Sequence, residues 1–234
     1  MDARDRALLA ACPVVAAPRF GALPDMVNGQ RILVARNGWF VQTRLDWLDS
    51  IVALGGEPPR MCLPYGEVAP RLRFRFGKLP IALIESFVAA GRARLPDEAA
   101  GVLIYSRSSG QLRLAMCEPE QASPSHIRYR RPPVADDETV AVDLHTHGRA
   151  PAFWSAEDDR DDRGIKVAGV FGLLDQPRPS ARFRLAINGL YVALDQHPWC
   201  EQQADWPTHD VPPIRAGGWM RRVLRRWREH QPLG

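Results

Sequence analysis

The chain changes its hydrophobic period several times, and those changes outline its elements. Apolar residues at helical spacing from Leu79 through Ile81, Leu83, Ile84, Phe87 and Val88 to Ala90, closed by Gly91 and Pro96, predict the clearest helix. Strand-like runs follow at Val102–Tyr105, Leu112–Cys117, Thr139–Leu144, Lys166–Leu174, Phe183–Ile187 and Leu190–Leu194, the last two around an Asn188-Gly189 turn. A further helical stretch is expected from about Ser155 to Arg163. Nearer the start, residues 31–36 and 39–43 flank Asn37-Gly38, a dipeptide suited to the positive φ angles of a tight hairpin. Leu45–Leu54 reads as a short helix ended by Gly55-Gly56, and Pro58-Pro59 forces an extended loop. These elements predict an α+β fold: a mixed, mostly antiparallel sheet flanked by helices, with a small N-terminal strand-rich module. The expected division is an accessory module over 1–76, a main domain over 77–200 and an extension over 201–234.

Composition narrows the class. With 234 residues, 45% hydrophobic and 25% charged, the chain is neither collagen-like nor disordered and has material for a real core. No apolar run reaches the roughly 18 residues of a membrane-spanning helix, so a soluble protein is expected. Ala7–Ala17 imitates a signal segment and Leu9-Ala10-Ala11-Cys12 a lipoprotein box. Asp2 and Asp5 in the leading segment, and Pro13 after Cys12, speak against both. Cys12, Cys62, Cys117 and Cys200 form no Cys-x-x-Cys pair, which favours a reducing cytoplasm over a disulfide scaffold or zinc ribbon.

Charge is uneven. From Arg215 onward there are six arginines and one acid, Glu229, a local +5 against +4 for the chain, which leaves −1 for residues 1–214. The body therefore has no electrostatic support for nucleic-acid binding. In the tail, Trp219, Val223 and Trp227 would line one face of a basic helix, suited to the protein's own core or to a partner, DNA or an anionic membrane.

The candidate chemistry lies in Val140-Ala141-Val142-Asp143-Leu144-His145-Thr146-His147-Gly148 and in Arg149–Asp158 after it. Residues i and i+2 of a strand share a face, so His145 and His147 project side by side and make half of a zinc site. A catalytic zinc takes three protein ligands, and Asp158 at the start of a predicted helix is the candidate third. Each part has an ordinary reading too: a satisfied strand histidine, a Ser155 N-cap, a solvated acidic face at Asp158, Asp159, Asp161 and Asp162. The joint spacing of His, His, Ser and Asp outweighs them. Phe153 and Trp154, between the ligand candidates, either line a substrate groove or pack. His126, His197, His209 and His230 have no partner at ligand spacing and read as surface or loop residues.

The run from His145 to Asp158 resembles, without a gap, the metal-binding motif of the JAB/MPN (JAMM) metalloproteases, over roughly Leu79 to Leu194. That family also needs an upstream acid, and Leu95-Pro96-Asp97-Glu98-Ala99-Ala100-Gly101 resembles its segment. More narrowly, the chain is similar to the A components of bacterial PRTRC gene cassettes, which also encode ThiF-like adenylating and ubiquitin-like components. Asn37-Gly38-Trp39-Phe40 and Leu63-Pro64-Tyr65-Gly66 carry that likeness. The resemblance implies a cytidine-deaminase-like JAB/MPN fold and one zinc ion on His145, His147 and Asp158. It implies Glu98 as general base then acid, and Ser155 as oxyanion donor. The implied reaction is cleavage after the C-terminal glycine of a ubiquitin-like protein, in precursor processing or deconjugation. The short span between Cys117 and Thr139 leaves a substrate-gripping insertion unassigned.

Two other readings stand beside it. Val142–His147 also resembles the first strand of PHP phosphoesterases and amidohydrolases, but only 87 residues follow His147, too few for the rest of a barrel of typically ~250 residues. The second is a catalytically inactive or autoinhibited MPN scaffold that binds cassette partners.

Overall fold

In the computed structural model, residues 1–55, 62–194 and, for the backbone, 199–200 are described. The chain opens with helix α1 (Ala3–Ala11), capped by the Asp2 carboxylate on the Arg4 amide and burying no residue. Five short strands follow: β1 (Val14–Ala16), β2 (Gly29–Ala35), β3 (Gly38–Arg44), β4 (Leu48–Ala53) and β5 (Arg71–Phe74), in that spatial order. The β2–β3 hairpin forms where expected. Gly38 takes φ +142°, while Asn37 spends its side chain on the Val68 backbone, accepting from its amide at 3.0 Å and donating to its carbonyl at 2.9 Å.

Leu45–Leu54 is not a helix. Its apolar spacing fits helical period, yet residues 48–53 form β4, hydrogen-bonded to β3 on one side and β5 on the other. Leu48, Ser50, Ile51 and Val52 are all buried. A central strand buried on both faces loses its alternation, and β-branched Ile51 and Val52 suit that pleated environment.

Strand β6 (Leu79–Pro80) leads into helix α2 (Ile81–Ala93), as the periodicity requires. It buries Ile84, Phe87, Val88 and Gly91, one stripe at i, i+3, i+4 and i+7. The remaining strands are β7 (Ala100–Ser106), β8 (Leu112–Met116), β9 (Glu118–Ser123), β10 (His126–Arg130), β11 (Glu138–Thr146), β12 (Ile165–Gly172), β13 (Ser180–Ile187), β14 (Leu190–Ala193) and β15 (Trp199–Cys200). A six-stranded sheet runs β14-β13-β12-β11-β7-β8, antiparallel except for the parallel pair β11–β12. The fold is α+β, mostly sheet. Asn188 and Gly189 both take positive φ, +49° and +92°, the two-residue turn expected between β13 and β14.

The two faces of this sheet differ. Val142, Leu144, Val167, Phe171 and Leu185 belong to the main core with Phe87 of α2, the Phe87 and Phe171 rings lying 5.5 Å apart. Trp47, just before β4, and Leu48, Val52 and Leu72 of the first sheet join the same core. Asp143, His145 and His147 alternate to the other face. Part of that face is covered by the β9–β10 hairpin, whose Ile127 and Tyr129 pack on Ala100, Val102, Ile104 and Cys117. The sequence reading missed this hairpin, because Pro119, Pro124 and a run of charged residues break the apolar pattern in strands that are largely exposed. A parallel strand pair needs a crossover connection. The one from β11 to β12 carries Phe153, Trp154, Ser155 and Asp158. The expected helix there is reduced to four residues, α3 (Asp158–Asp161). Residues 201–234, with the basic helix expected in the tail, and the side chains of 195–200 lie outside the described residues.

Candidate metal centre

β11 ends in the register that puts His145 beside Ala100 of β7 and Val170 of β12. Gly148 then turns the chain at φ +53°, where a Cβ would meet the Pro96 carbonyl oxygen at 3.0 Å. That close approach brings the Glu98 segment against the histidine strand. Two further bonds fix it: the Ala99 amide donates to Thr146 Oγ1 at 2.8 Å and the Thr146 amide donates to the Ala99 carbonyl at 2.9 Å. Glu98 itself is 5% exposed, and its amide donates to the Ser123 carbonyl of the hairpin at 3.0 Å.

The crossover is held equally firmly. A Cβ on Gly172 would lie 2.2 Å from the Ala150 carbonyl oxygen, so only glycine lets the loop pass there. The Ala152 amide donates to Ser180 Oγ at 2.8 Å, and Arg182 Nε donates to the Ala152 carbonyl at 2.9 Å. Beyond this anchored stretch, Asp158 comes back to the histidines. His145 Nε2 lies 3.1 Å from His147 Nε2 and 3.1 Å from Asp158 Oδ1, while His147 Nε2 is 4.0 Å from Asp158 Oδ2. Their candidate ligand atoms all fall within 4.8 Å of one another. His147 Nδ1 is buried beside the Pro151 backbone without a bond of good geometry.

The Ser155 amide and hydroxyl both donate to Asp158 Oδ2 at 2.7 Å, and the Asp158 amide donates back to Ser155 Oγ at 3.1 Å. Ser155 thus caps one amide of the turn as expected, although the helix begins later, with Glu157 in the N-cap position. His145, His147, Asp158, Ser155 and Glu98 line one cavity of about 620 Å³, with Phe153 in its wall. Trp154 stands apart from that cavity. Its ring lies 6.4 Å from His145 and carries the Arg184 guanidinium at 3.9 Å.

Electrostatics separate the two acids. Burial pushes the Glu98 carboxyl up to about 7, partly offset by His145. Burial acts the same way on Asp158, but hydrogen bonding and charge from His145, with the bonds from Ser155, hold it below the ordinary carboxylate range. For His145, burial disfavours the imidazolium and Asp158 outweighs it, so the net shift is upward. His147 goes down through burial and its neighbour His145. One carboxyl able to exchange a proton near neutrality and one fixed as an anion is the division of labour that a hydrolytic centre uses.

Sequence reasoning missed two groups of residues here. His126 is at the surface as expected, but its place in the site was not foreseen: it sits at the start of β10 with Nδ1 3.2 Å from Glu157 Oε1, and both line the cavity. The other group is a chain of buried charges. Asp143 accepts from Lys166 Nζ at 2.9 Å, from the Tyr129 hydroxyl at 2.9 Å and from Arg131. The i−2 position of Asp143 before His145 was the available signal for its place on the site face; nothing local in sequence marked the others.

A family comparison agrees with this architecture. Residues 80–186 match the family model described as prokaryotic homologs of the JAB domain. That part of the chain, just under half of it, is similar to a JAB domain. Residues 2–75 match a separate model described only as a domain of unknown function, DUF2016. No curated protein matches the chain. Among solved structures, the solution structure of protein DSY2949 from Desulfitobacterium hafniense is similar at 19% identity, covering 54% of this chain and 97% of that one, with a TM-score of 0.39.

Proposed function

We propose that the cavity is the active centre of a zinc-dependent peptidase or isopeptidase that cuts after the C-terminal glycine of a ubiquitin-like protein. The observation that supports this most is the convergence of two imidazoles and a carboxylate beside a buried acid. Two nitrogens and one oxygen from protein, with a position left for water, form the donor set of hydrolytic zinc sites. The two 3.1 Å spacings at His145 are near the edge of about 3.3 Å between ligand atoms at ~2.0–2.1 Å from one zinc, while the 4.0 Å from His147 to Asp158 is longer and would have to close on binding. His145, His147 and Asp158 would hold the zinc, which would supply Lewis acidity and make water a nucleophile near neutral pH.

The chain's own residues do the rest. Glu98, buried in the same cavity as the three ligands, accepts the proton of the attacking water and returns it to the departing amine. Ser155 serves the oxyanion once its hydroxyl turns from Asp158 Oδ2, and its amide keeps that oxygen bonded meanwhile. Phe153, 49% exposed, offers an apolar contact for an extended tail. A ThiF-like adenylating component is the matching partner, since activation and removal of one modifier act on the same terminal carboxyl.

The test is incubation of the zinc-loaded chain with a ubiquitin-like protein bearing a C-terminal extension, followed by mass spectrometry of the products. Cleavage after the terminal glycine is expected, with loss in Glu98→Gln. Equal cleavage by that variant contradicts the proton relay. An inert wild type that still binds the modifier favours the scaffold reading.

A further inference from the structure

Helix α3 is only four residues long, buries no residue and has no side-chain cap from its N-cap residue. An isolated helix of that length does not hold itself in water. Asp158 nevertheless sits 3.1 Å from His145. Ser155 fixes the local turn around Asp158, but something must fix that turn to the sheet.

The Arg184 side chain meets the requirement. It is 5% exposed, on β13, in the register row that runs Asp143–Ala168–Arg184–Ala193 across four strands. Its guanidinium donates to Asp162 Oδ2 through Nε at 2.9 Å and Nη2 at 2.6 Å, and to Asp159 Oδ1 through Nη1 at 2.7 Å. Its two faces are occupied as well, by the Trp154 ring at 3.9 Å and the Tyr191 ring at 4.0 Å. Tyr191 adds a hydroxyl donated to the Asp159 carbonyl at 2.7 Å. Asp162 continues the chain of charge to Lys166 Nζ at 3.0 Å, and Lys166 to Asp143, two residues before His145. Arg184 therefore grips the crossover on both sides of Asp158 without touching Asp158. Lysine could not copy this, lacking the planar fork and the two stacking faces.

We infer that Arg184 is a positioning residue of the metal centre, a clamp that places Asp158 against the histidine strand before any ion arrives. The inference rests on the zinc reading above. Residues that orient a metal ligand typically change affinity 10–100-fold when replaced, and an effect of that size is expected here.

The test is zinc affinity of the full chain, measured by competition with a chromophoric chelator, for wild type, Arg184→Lys, Arg184→Met and Tyr191→Phe. Near-ultraviolet circular dichroism checks the fold. Expected dissociation constants rise about 10-fold or more in Arg184→Lys, further in Arg184→Met, and least in Tyr191→Phe. A second arm needs no variant: in zinc-free wild type, the amides of Arg160, Asp161 and Asp162 should be protected from hydrogen exchange. Wild-type affinity in folded Arg184→Lys overturns the clamp and leaves the zinc reading standing, as does free exchange of those amides before zinc is added. A wild type that binds no zinc overturns both.

Discussion

Both sheets bury polar side chains, and they do so for different ends. In the first sheet, Arg31 of β2 is 6% exposed and lies opposite Gln42 of β3, donating to Gln42 Oε1 at 2.8 Å and to the Pro24 carbonyl at 2.6 Å. Those partners are neutral and belong to the same module. On the second sheet and the loops at its edge, Glu98, Asp143, His147, Asp162 and Lys166 are buried around a single cavity. Among the described residues, the buried side-chain atoms without a partner are Ser50 Oγ in the first sheet and His147 Nδ1 in the second. An orphan atom alone therefore does not mark a site. Clustering of buried titratable groups around one space does, because such groups are expensive to bury unless paired or used.

The sharpest way to break this contrast is through rate. Glu98→Gln should lower cleavage by about 10²–10⁴-fold, the usual contribution of a general base, while the zinc content by metal analysis stays at the wild-type level. Loss of zinc with activity would make Glu98 a ligand or a scaffold residue instead. Ser155→Ala should cost about 10²–10³-fold in rate if the hydroxyl serves the oxyanion. If it only holds Asp158, zinc affinity falls and the rate of the fully loaded enzyme does not.

Stability separates the two regions next. The folded protein holds Glu98 at about 7 against an ordinary 4.5, so the neutral acid favours the fold. That advantage is complete below about pH 4.5 and is lost as pH rises through about 7, amounting to roughly 3 kcal/mol. In chelator-treated protein, Glu98→Gln should therefore be more stable than wild type in urea unfolding at pH 8, with the gap closing toward pH 4.5. A gap independent of pH would mean that the carboxyl is not held in its neutral form. Smallest is the expected effect of Arg31→Met, about 1–3 kcal/mol from leaving Gln42 without its donor, with zinc affinity unchanged. A change in zinc affinity there would erase the distinction between the two sheets.

Much of this was legible in the sequence, and the failures have physical causes. The His-x-His spacing on a strand, the helix over Ile81–Ala93 and the Asn188-Gly189 turn follow from local periodicity and backbone preference, and the structure has them. β4 was misread because a strand paired on both sides is apolar on both faces, and its residues then satisfy helical spacing by accident. The β9–β10 hairpin was missed because short exposed strands need little apolar material. Arg184, His126 and Lys166 escaped for another reason: each meets partners from other elements, and no local pattern records such meetings. Trp154 shows the same limit. Its sequence neighbourhood leaves groove and packing both open, and only the tertiary structure brings its ring against Arg184.

The most direct measurement is a zinc titration of the metal-stripped chain, followed by calorimetry. Wild type is expected to bind one equivalent, Glu98→Gln the same, and His145→Ala and Asp158→Ala far more weakly. Tight binding that survives the loss of Asp158, or no binding by the wild type, would contradict the three-ligand centre on which the account stands.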